Sequence, residues 1–302
     1  MPIKSGFVSI IGKPNVGKST LMNALIGEKL SIVTSKPQTT RKRILGILSS
    51  ENHQIIFVDT PGILNPEYLL QERMLDYVFS SAKDSDIVLI MIDAKNDPSG
   101  SRTLSDEIVK RVLAESESKK ILVVNKIDLS DQPSVEKLIG DLSARNIFEK
   151  IIPVSAKEGF NISSVIETII ELLPEHPKYY PDDQLSQANE RFFVTEIIRE
   201  KIFELYHDEV PYSTEVLIDE FKERDISKHY IRATIIVERE SQKPILLGAK
   251  GESIKKMGQL ARTDIEKFLQ HDVYLDLHVK VKEKWRSDPN MLKSFGYSPN
   301  DE

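Results

Sequence analysis

Apolar positions in the first 173 residues fall in short unbroken runs, and the chain between the runs has the length and polarity of amphipathic helices. The runs are residues 7–11, 54–58, 87–92, 121–124 and 151–154, each closed by turn-forming or charged residues. Uninterrupted apolar runs of this kind suit strands covered on both faces, the condition inside a parallel sheet. Helix-length stretches lie at 19–27, 67–83, 103–115, 135–144 and 162–173. Strand–helix alternation predicts a doubly wound α/β domain over residues 1–173.

Residues 174–188 interrupt the pattern. Pro174, Pro177 and Pro181 with their charged neighbours read as a linker that cannot be helical. The periodicity then changes. Residues 189–206 carry a helix pattern, 214–221 and 231–238 alternate like adjacent strands, and 252–269 read as a second helix. Residues 273–281 alternate strictly, with Val273, Leu275, Leu277, Val279 and Val281 on one side. Such alternation predicts a sheet with one face open to solvent or ligand. The reading is an α+β domain over 189–285 followed by a C-terminal tail, 286–302.

A length of 302 residues agrees with two domains, and 40% hydrophobic with 29% charged residues fits chains that bury real cores. The absence of cysteine excludes disulfides, thiolate metal sites and cysteine nucleophiles, and is compatible with a reducing cytoplasm. No run of about 18 apolar residues is present, and the N-terminus has neither the pattern of a signal peptide nor that of a transit peptide. The net charge of −6 argues against a nucleic-acid partner only where basic residues are evenly spread.

The chemistry of the first half sits at predicted strand ends. Gly12-Lys13-Pro14-Asn15-Val16-Gly17-Lys18-Ser19, with Thr20 after it, follows a strand and opens a helix. Its glycines let backbone N–H groups turn around phosphate oxygens, Lys18 can reach the β and γ phosphates, and the Ser19 hydroxyl can bind Mg²⁺. Asp59-Thr60-Pro61-Gly62 follows the second run: Asp59 can hold Mg²⁺ and the Gly62 N–H can meet the γ-phosphate. Asn125-Lys126-Ile127-Asp128 follows the fourth. Asp128 offers two acceptors to the N1–H and amino group of guanine, and adenine would leave that carboxylate unpaired. Ser155-Ala156-Lys157 can cover the guanine O6. Each pattern alone is matched by ordinary turns, but four in order at one sheet edge point to GTP.

The set resembles the translation-factor-type GTPases over about residues 7–173. By that resemblance residues 34–41 are switch I, Thr40 completes the Mg²⁺ shell with Thr39 as alternative, and Lys18, Asn15, Thr40 and Gly62 form the catalytic set. The position after Gly62 is Ile63, where Ras-like enzymes carry a water-orienting Gln, so intrinsic hydrolysis is expected to be slow. Asn15 matches a residue that in related GTPases holds K⁺ against the phosphates, which makes K⁺ a second candidate cofactor beside Mg²⁺.

In the second half Gly248-Ala249-Lys250-Gly251 stands before a helix start, where a tight Gly-x-x-Gly turn lets a nucleic-acid backbone approach. Arg239, Lys243, Lys250, Lys255, Lys256 and Arg262 surround it against Glu240 and Glu252. Lys280, Lys282 and Lys284 extend this basic face or form a solvated strand face. The element order is that of a type II KH domain. The two halves in this order, with Pro-Gln-Thr-Thr-Arg, Asp-Thr-Pro-Gly, Ile-Ile-Arg-Glu-Lys (197–201) and Gly-x-x-Gly, resemble the Era family. The resemblance implies binding of small-subunit ribosomal RNA near its 3′ end, a role in ribosome assembly, a monomer in the cytoplasm and loose association with the inner face of the membrane. Rival readings are a GTPase acting on a membrane or protein partner, with a protein-binding second domain, and an RNA-modifying enzyme using GTP. A second cluster of carboxylates or histidines, which the latter would need, is absent from the C-terminal half.

Overall fold

A computed structural model describes residues 2–297. They form two compact units, one of residues 1–66 and 74–187, the other of 67–73 and 188–302. The first unit is built on six strands: β1 Lys4–Gly12, β2 Ile44–Ser49, β3 His53–Asp59, β4 Ile87–Asp93, β5 Lys119–Asn125 and β6 Lys150–Pro153. Their order is β2-β3-β1-β4-β5-β6. Every pairing is parallel except β2 with β3. The helices are α1 Lys18–Ile26, α2 Leu69–Asp84, α3 Ser101–Leu104, α4 Glu107–Glu115, α5 Gln132–Ser143 and α6 Ile162–Leu172. All seven residues of β4 are buried, as an unbroken apolar strand at the centre of a doubly wound sheet requires.

Three readings change. Strand β2 is an added edge, hidden in sequence by Gly46 and by the absence of a connecting helix. The stretch 103–115 is two helices, because Asp97 accepts from the Arg102 and Thr103 amides while Asp106 caps α4 through the Ile108 amide. The linker is not a free connection. Gln54 accepts from the Tyr179 and Tyr180 amides and donates to the Tyr180 carbonyl. The Ile47 amide donates to the Leu185 carbonyl at 2.8 Å, and the Ser186 hydroxyl donates to the Leu45 carbonyl at 2.6 Å. The segment thus covers the edge of β2, where unpaired backbone groups would otherwise face water or another chain.

The second unit contains α7 Glu190–Leu205, β7 Glu215–Lys222, β8 His229–Val237, α8 Gln242–Leu247, α9 Glu252–Leu269, β9 Val273–Val281 and α10 Pro289–Ser294. Its sheet runs β7-β8-β9, with β8 antiparallel to β7 and parallel to β9. Val194, Ile198 and Ile202 of α7 and Met257, Ala261 and Ile265 of α9 pack on Ile231, Ala233 and Ile235. The strict alternation of β9 has the expected outcome: Val273, Leu275, Leu277, Val279 and Val281 join this core and the other face stays open. Helix α8 adds a short element before the Gly-x-x-Gly turn, with Pro244 near its start. The chain after β9 continues as ordered structure over its described part. Trp285 is fully buried and donates to the Ser213 carbonyl at 2.9 Å, and the Tyr297 hydroxyl donates to Glu215 Oε2 at 2.7 Å. Residues 298–302 lie outside the described residues.

Candidate nucleotide and RNA sites

The carboxyl ends of β1, β3, β5 and β6 present their loops along one edge of the sheet. The loop from Gly12 to Gly17 joins β1 to α1, which starts at Lys18 with a glycine before it and no side-chain cap. The first amides of α1 therefore have no internal partner and can meet an anion. Gly17 needs its glycine twice: its φ is 101°, and a Cβ there would lie 2.4 Å from the Asn125 side-chain nitrogen. Asn125 is the hub. Its Nδ2 donates to the Val16 carbonyl at 2.8 Å and its Oδ1 accepts from the Ala156 amide at 3.0 Å. One side chain thereby ties the phosphate loop to the two loops expected to read the base.

Lys18 is buried and donates to the carbonyls of Gly12 and Lys13, both at 3.1 Å. Burial lowers its pKa to about 8, against the opposing pull of Asp59. Ser19 Oγ donates to Asp59 Oδ2 at 2.7 Å and lies 3.0 Å from Thr40 Oγ1, which itself lies 3.4 Å from that carboxylate. The structure thus brings Ser19, Thr40 and Asp59 together. Thr39 turns elsewhere, to the Thr34 hydroxyl at 2.6 Å and the Lys36 carbonyl at 2.8 Å. Burial pushes the Asp59 carboxyl above its ordinary range although Lys18, Ser19 and Thr40 pull it down, and its Oδ1 is buried without a hydrogen-bond partner. A buried carboxylate with a spare oxygen beside two hydroxyls fits a divalent cation that also takes substrate phosphate oxygens. Among the described residues no group of three or more His, Asp or Glu side chains gathers as a metal site.

Gly62 approaches the phosphate loop so closely that a Cβ would lie 2.9 Å from Pro14 Cα. The side chain of Asn15 donates to the Ser35 carbonyl at 2.9 Å, linking the loop to segment 34–41. Lys126 donates to the Asn15 carbonyl at 2.6 Å and to Asp93 Oδ2 at 2.7 Å, which stretches its chain over the place of a base. Asp128 is exposed in the short 3-10 turn that follows, Ser155 and Ala156 are buried, and Lys157 is exposed.

Several expected contacts are only backbone contacts. The Lys13 ammonium pairs with Asp106 at 3.0 Å, and the Thr60 hydroxyl donates to the Ile10 carbonyl at 2.7 Å. The Ile63 side chain joins the hydrophobic core and its amide donates to the Gly12 carbonyl. Val16 is buried, Pro61 stands between Thr60 and Gly62, and Pro14, Thr20 and Gly62 line the cleft. Asp93 and Asp106 escaped the sequence reading. Asp93 ends β4 at the same sheet edge, and that position was the available signal.

In the second unit Gly248, Ala249, Lys250 and Gly251 join α8 to α9. Gly248 and Gly251 have φ of 70° and 80°, and Lys250 is itself at 51°. The turn leaves α9 without a side-chain cap, so backbone donors and the exposed Lys250 face outward together. Beside it a groove of about 500 Å³ runs between α9 and β9, lined by Ile254, Lys255, Gly258, Arg262, Leu275 and Leu277 among others. Gly258 makes the groove possible, since a Cβ there would meet Leu277 at 3.0 Å. Lys256 departs from the expectation: it faces a different hollow, with Tyr206, His207 and Ile245, because adjacent helical residues point about 100° apart.

Comparison with known proteins follows this division. The family described as 50S ribosome-binding GTPase matches residues 7–126, and the KH domain family matches residues 209–286. The GTPase Era of Geotalea daltonii is 46% identical over 293 residues, covering 97% of each chain. That of Clostridium botulinum is 45% identical over 294 residues, covering 97% of this chain and 98% of its own. A crystal structure of Era with MgGDPNP and nucleotides 1506–1542 of 16S ribosomal RNA superposes with a TM-score of 0.90 at 38% identity, covering 98% of this chain and 99% of the other. An Aquifex aeolicus Era variant bound to GDP and AlF₄⁻ gives 0.89 at 38% identity, covering 98% and 100%.

Proposed function

The chain belongs to the Era family of GTPases, and from that premise we propose that it is a GTP-hydrolysing switch that binds small-subunit ribosomal RNA near its 3′ end through the KH domain and assists small-subunit assembly. The observation that carries the RNA half is the uncapped Gly-x-x-Gly turn opening onto the α9–β9 groove, a geometry that fits about four nucleotides of single strand. The family description over residues 7–126 names the 50S particle but covers the nucleotide unit alone. The relative holding 16S RNA matches nearly the whole chain, and it supports the small-subunit reading.

In the nucleotide unit the amides of 12–17 and of the α1 start cradle the phosphates, and Lys18 neutralises the β and γ oxygens. Ser19, Thr40 and Asp59 would hold Mg²⁺, which supplies charge stabilisation for phosphoryl transfer. Asp128 accepts the two guanine donors while Lys126, fixed by Asp93, lies along the ring. With Ile63 in the core, no side chain at that position orients water, so hydrolysis rests on positioned charge. Asn15, placed between the phosphate loop and segment 34–41, would hold K⁺ there. A monomeric cytoplasmic protein with a peripheral membrane pool is supported by family resemblance. Among the described residues no helix is long and apolar enough to cross a membrane.

The test is binding of the full chain, loaded with GDPNP, to the 3′ segment of 16S ribosomal RNA. Replacing Ala249 and Lys250 by Asp should abolish binding and leave GTP hydrolysis intact. Undiminished RNA affinity would reject the clamp, and salt-independent binding would point to a protein partner for this unit instead.

A further inference from the structure

The groove beside the Gly-x-x-Gly turn opens at the free edge of the second sheet, where Tyr274 of the edge strand β9 lines it. The Tyr274 side chain lies on the open sheet face and is 59% exposed. Register places Tyr230 of β8 beside it. The two rings are stacked, with centroids 5.8 Å apart and planes 13° from parallel. The Arg224 guanidinium follows, 6.0 Å from the Tyr230 centroid. The order is guanidinium, phenol ring, phenol ring, and then the sheet edge, with no further strand beyond β9 among the described residues. The ladder is braced from one side: Tyr230 donates its hydroxyl to Asp276 Oδ2 at 3.1 Å, and His278 Nε2 lies 3.1 Å from that oxygen.

We propose that this ladder is a stacking platform for one unpaired nucleobase adjacent to the nucleotides held in the groove. The inference rests on the RNA reading given above and extends it. A cross-strand tyrosine pair serving the sheet alone gains most when both rings are covered. Here the outer ring is left open at the sheet edge, where it also lines the groove. Its nearest neighbours offer a ring face rather than a cation to a strand at this edge: Arg232 is paired with Glu220, and Asp276 is held by the Tyr230 hydroxyl and lies against His278. The cations for the backbone, Lys255 and Arg262, stand in the groove. Stacking accepts any base, so the platform adds affinity and length dependence rather than sequence preference.

The test uses the full chain with GDPNP and single-stranded fragments of the 3′ segment of 16S ribosomal RNA, four and eight nucleotides long. Tyr230→Ala, which leaves the groove lining untouched and removes the ring that supports Tyr274, should weaken the eight-nucleotide fragment by less than the roughly 5- to 100-fold that loss of a directly stacking ring costs, and the four-nucleotide fragment hardly at all. Tyr230→Phe, which keeps the ring and loses the Asp276 bond, should bind like the parent. The salt dependence of Tyr230→Ala should match the parent, since no phosphate contact is lost. Should Tyr230→Ala fail to fold, 2-aminopurine scanned along the eight-nucleotide fragment reads the unmutated protein: quenching just outside the four-nucleotide window is expected. Equal loss on both fragments, no loss on either, or no quenched position outside the window would overturn the platform. The Ala249 and Lys250 double substitution separates the two ideas, because loss of binding there, with no length-dependent effect of Tyr230→Ala, leaves the clamp standing and removes the platform.

Discussion

At the scale of single residues, the roles proposed for Lys18 and Asp128 each make a separate prediction. Burial holds Lys18 near pKa 8 in the free protein, whereas phosphate oxygens favour its charged form. Nucleotide binding must then take up a proton where the free lysine is partly neutral. GTP affinity should be flat below about pH 7 and fall as the pH rises through 8, and calorimetry near pH 8.5 in buffers of different ionisation heat should show the uptake. A flat profile to pH 9 would exclude the depressed lysine. In Asp128→Asn one acceptor becomes a donor facing a guanine donor. GTP affinity should drop roughly 10²- to 10⁴-fold while xanthosine triphosphate gains; a variant that still prefers GTP would mean the base is read elsewhere. Asn15 predicts faster hydrolysis in K⁺ than in Na⁺, and equal rates would remove the ion.

Legibility in the sequence follows the range of the interaction. Gly12, Lys18, Asp59 and Asn125 were readable because the chemistry fixes both residue type and strand-end position. Asp93 and Asp106 were not, since each acts through a partner distant in sequence, Lys126 and Lys13.

Among the elements, periodic ones were legible and those defined by what they lie against were not. Helix α9 and strand β9 have the predicted bounds, as expected where an apolar repeat of fixed period spans the element. Strand β2 and segment 174–187 have weak patterns of their own and exist as ordered structure through Gln54, Leu45 and Ile47. The C-terminal segment is the sharpest case. Its composition is polar, yet Trp285 fills the core and α10 is capped by Asp288. Trp285→Ala should therefore cost about 3–5 kcal/mol, seen as a lowered denaturation midpoint with RNA binding lost in parallel. A change within about 0.5 kcal/mol, ordinary for surface sites, would show that Trp285 adds no packing to this unit.

At the scale of the whole molecule, each unit has a core of its own. The second unit's cluster draws its buried members from residues 194–273, and the cluster around β4 and β5 draws its members from residues 11–142. Shared stability is therefore not required for either chemistry, and damage to one core should be separable from the other site. Ile231 is completely buried in the second cluster. Ile231→Ala should destabilise that unit by about 2–5 kcal/mol. GTP affinity and the guanine preference should stay at the parent's level at temperatures where RNA binding has already gone. Thermal unfolding followed by tryptophan fluorescence reads the damaged unit, because the chain's one tryptophan, Trp285, lies within it; a fluorescent guanine nucleotide reads the other. With GDPNP bound, the nucleotide signal should shift to higher temperature by mass action while the tryptophan transition stays low. A single joint transition in the variant, with nucleotide released as the tryptophan is exposed, would show that the two units fold as one cooperative body and that the switch is transmitted through shared stability.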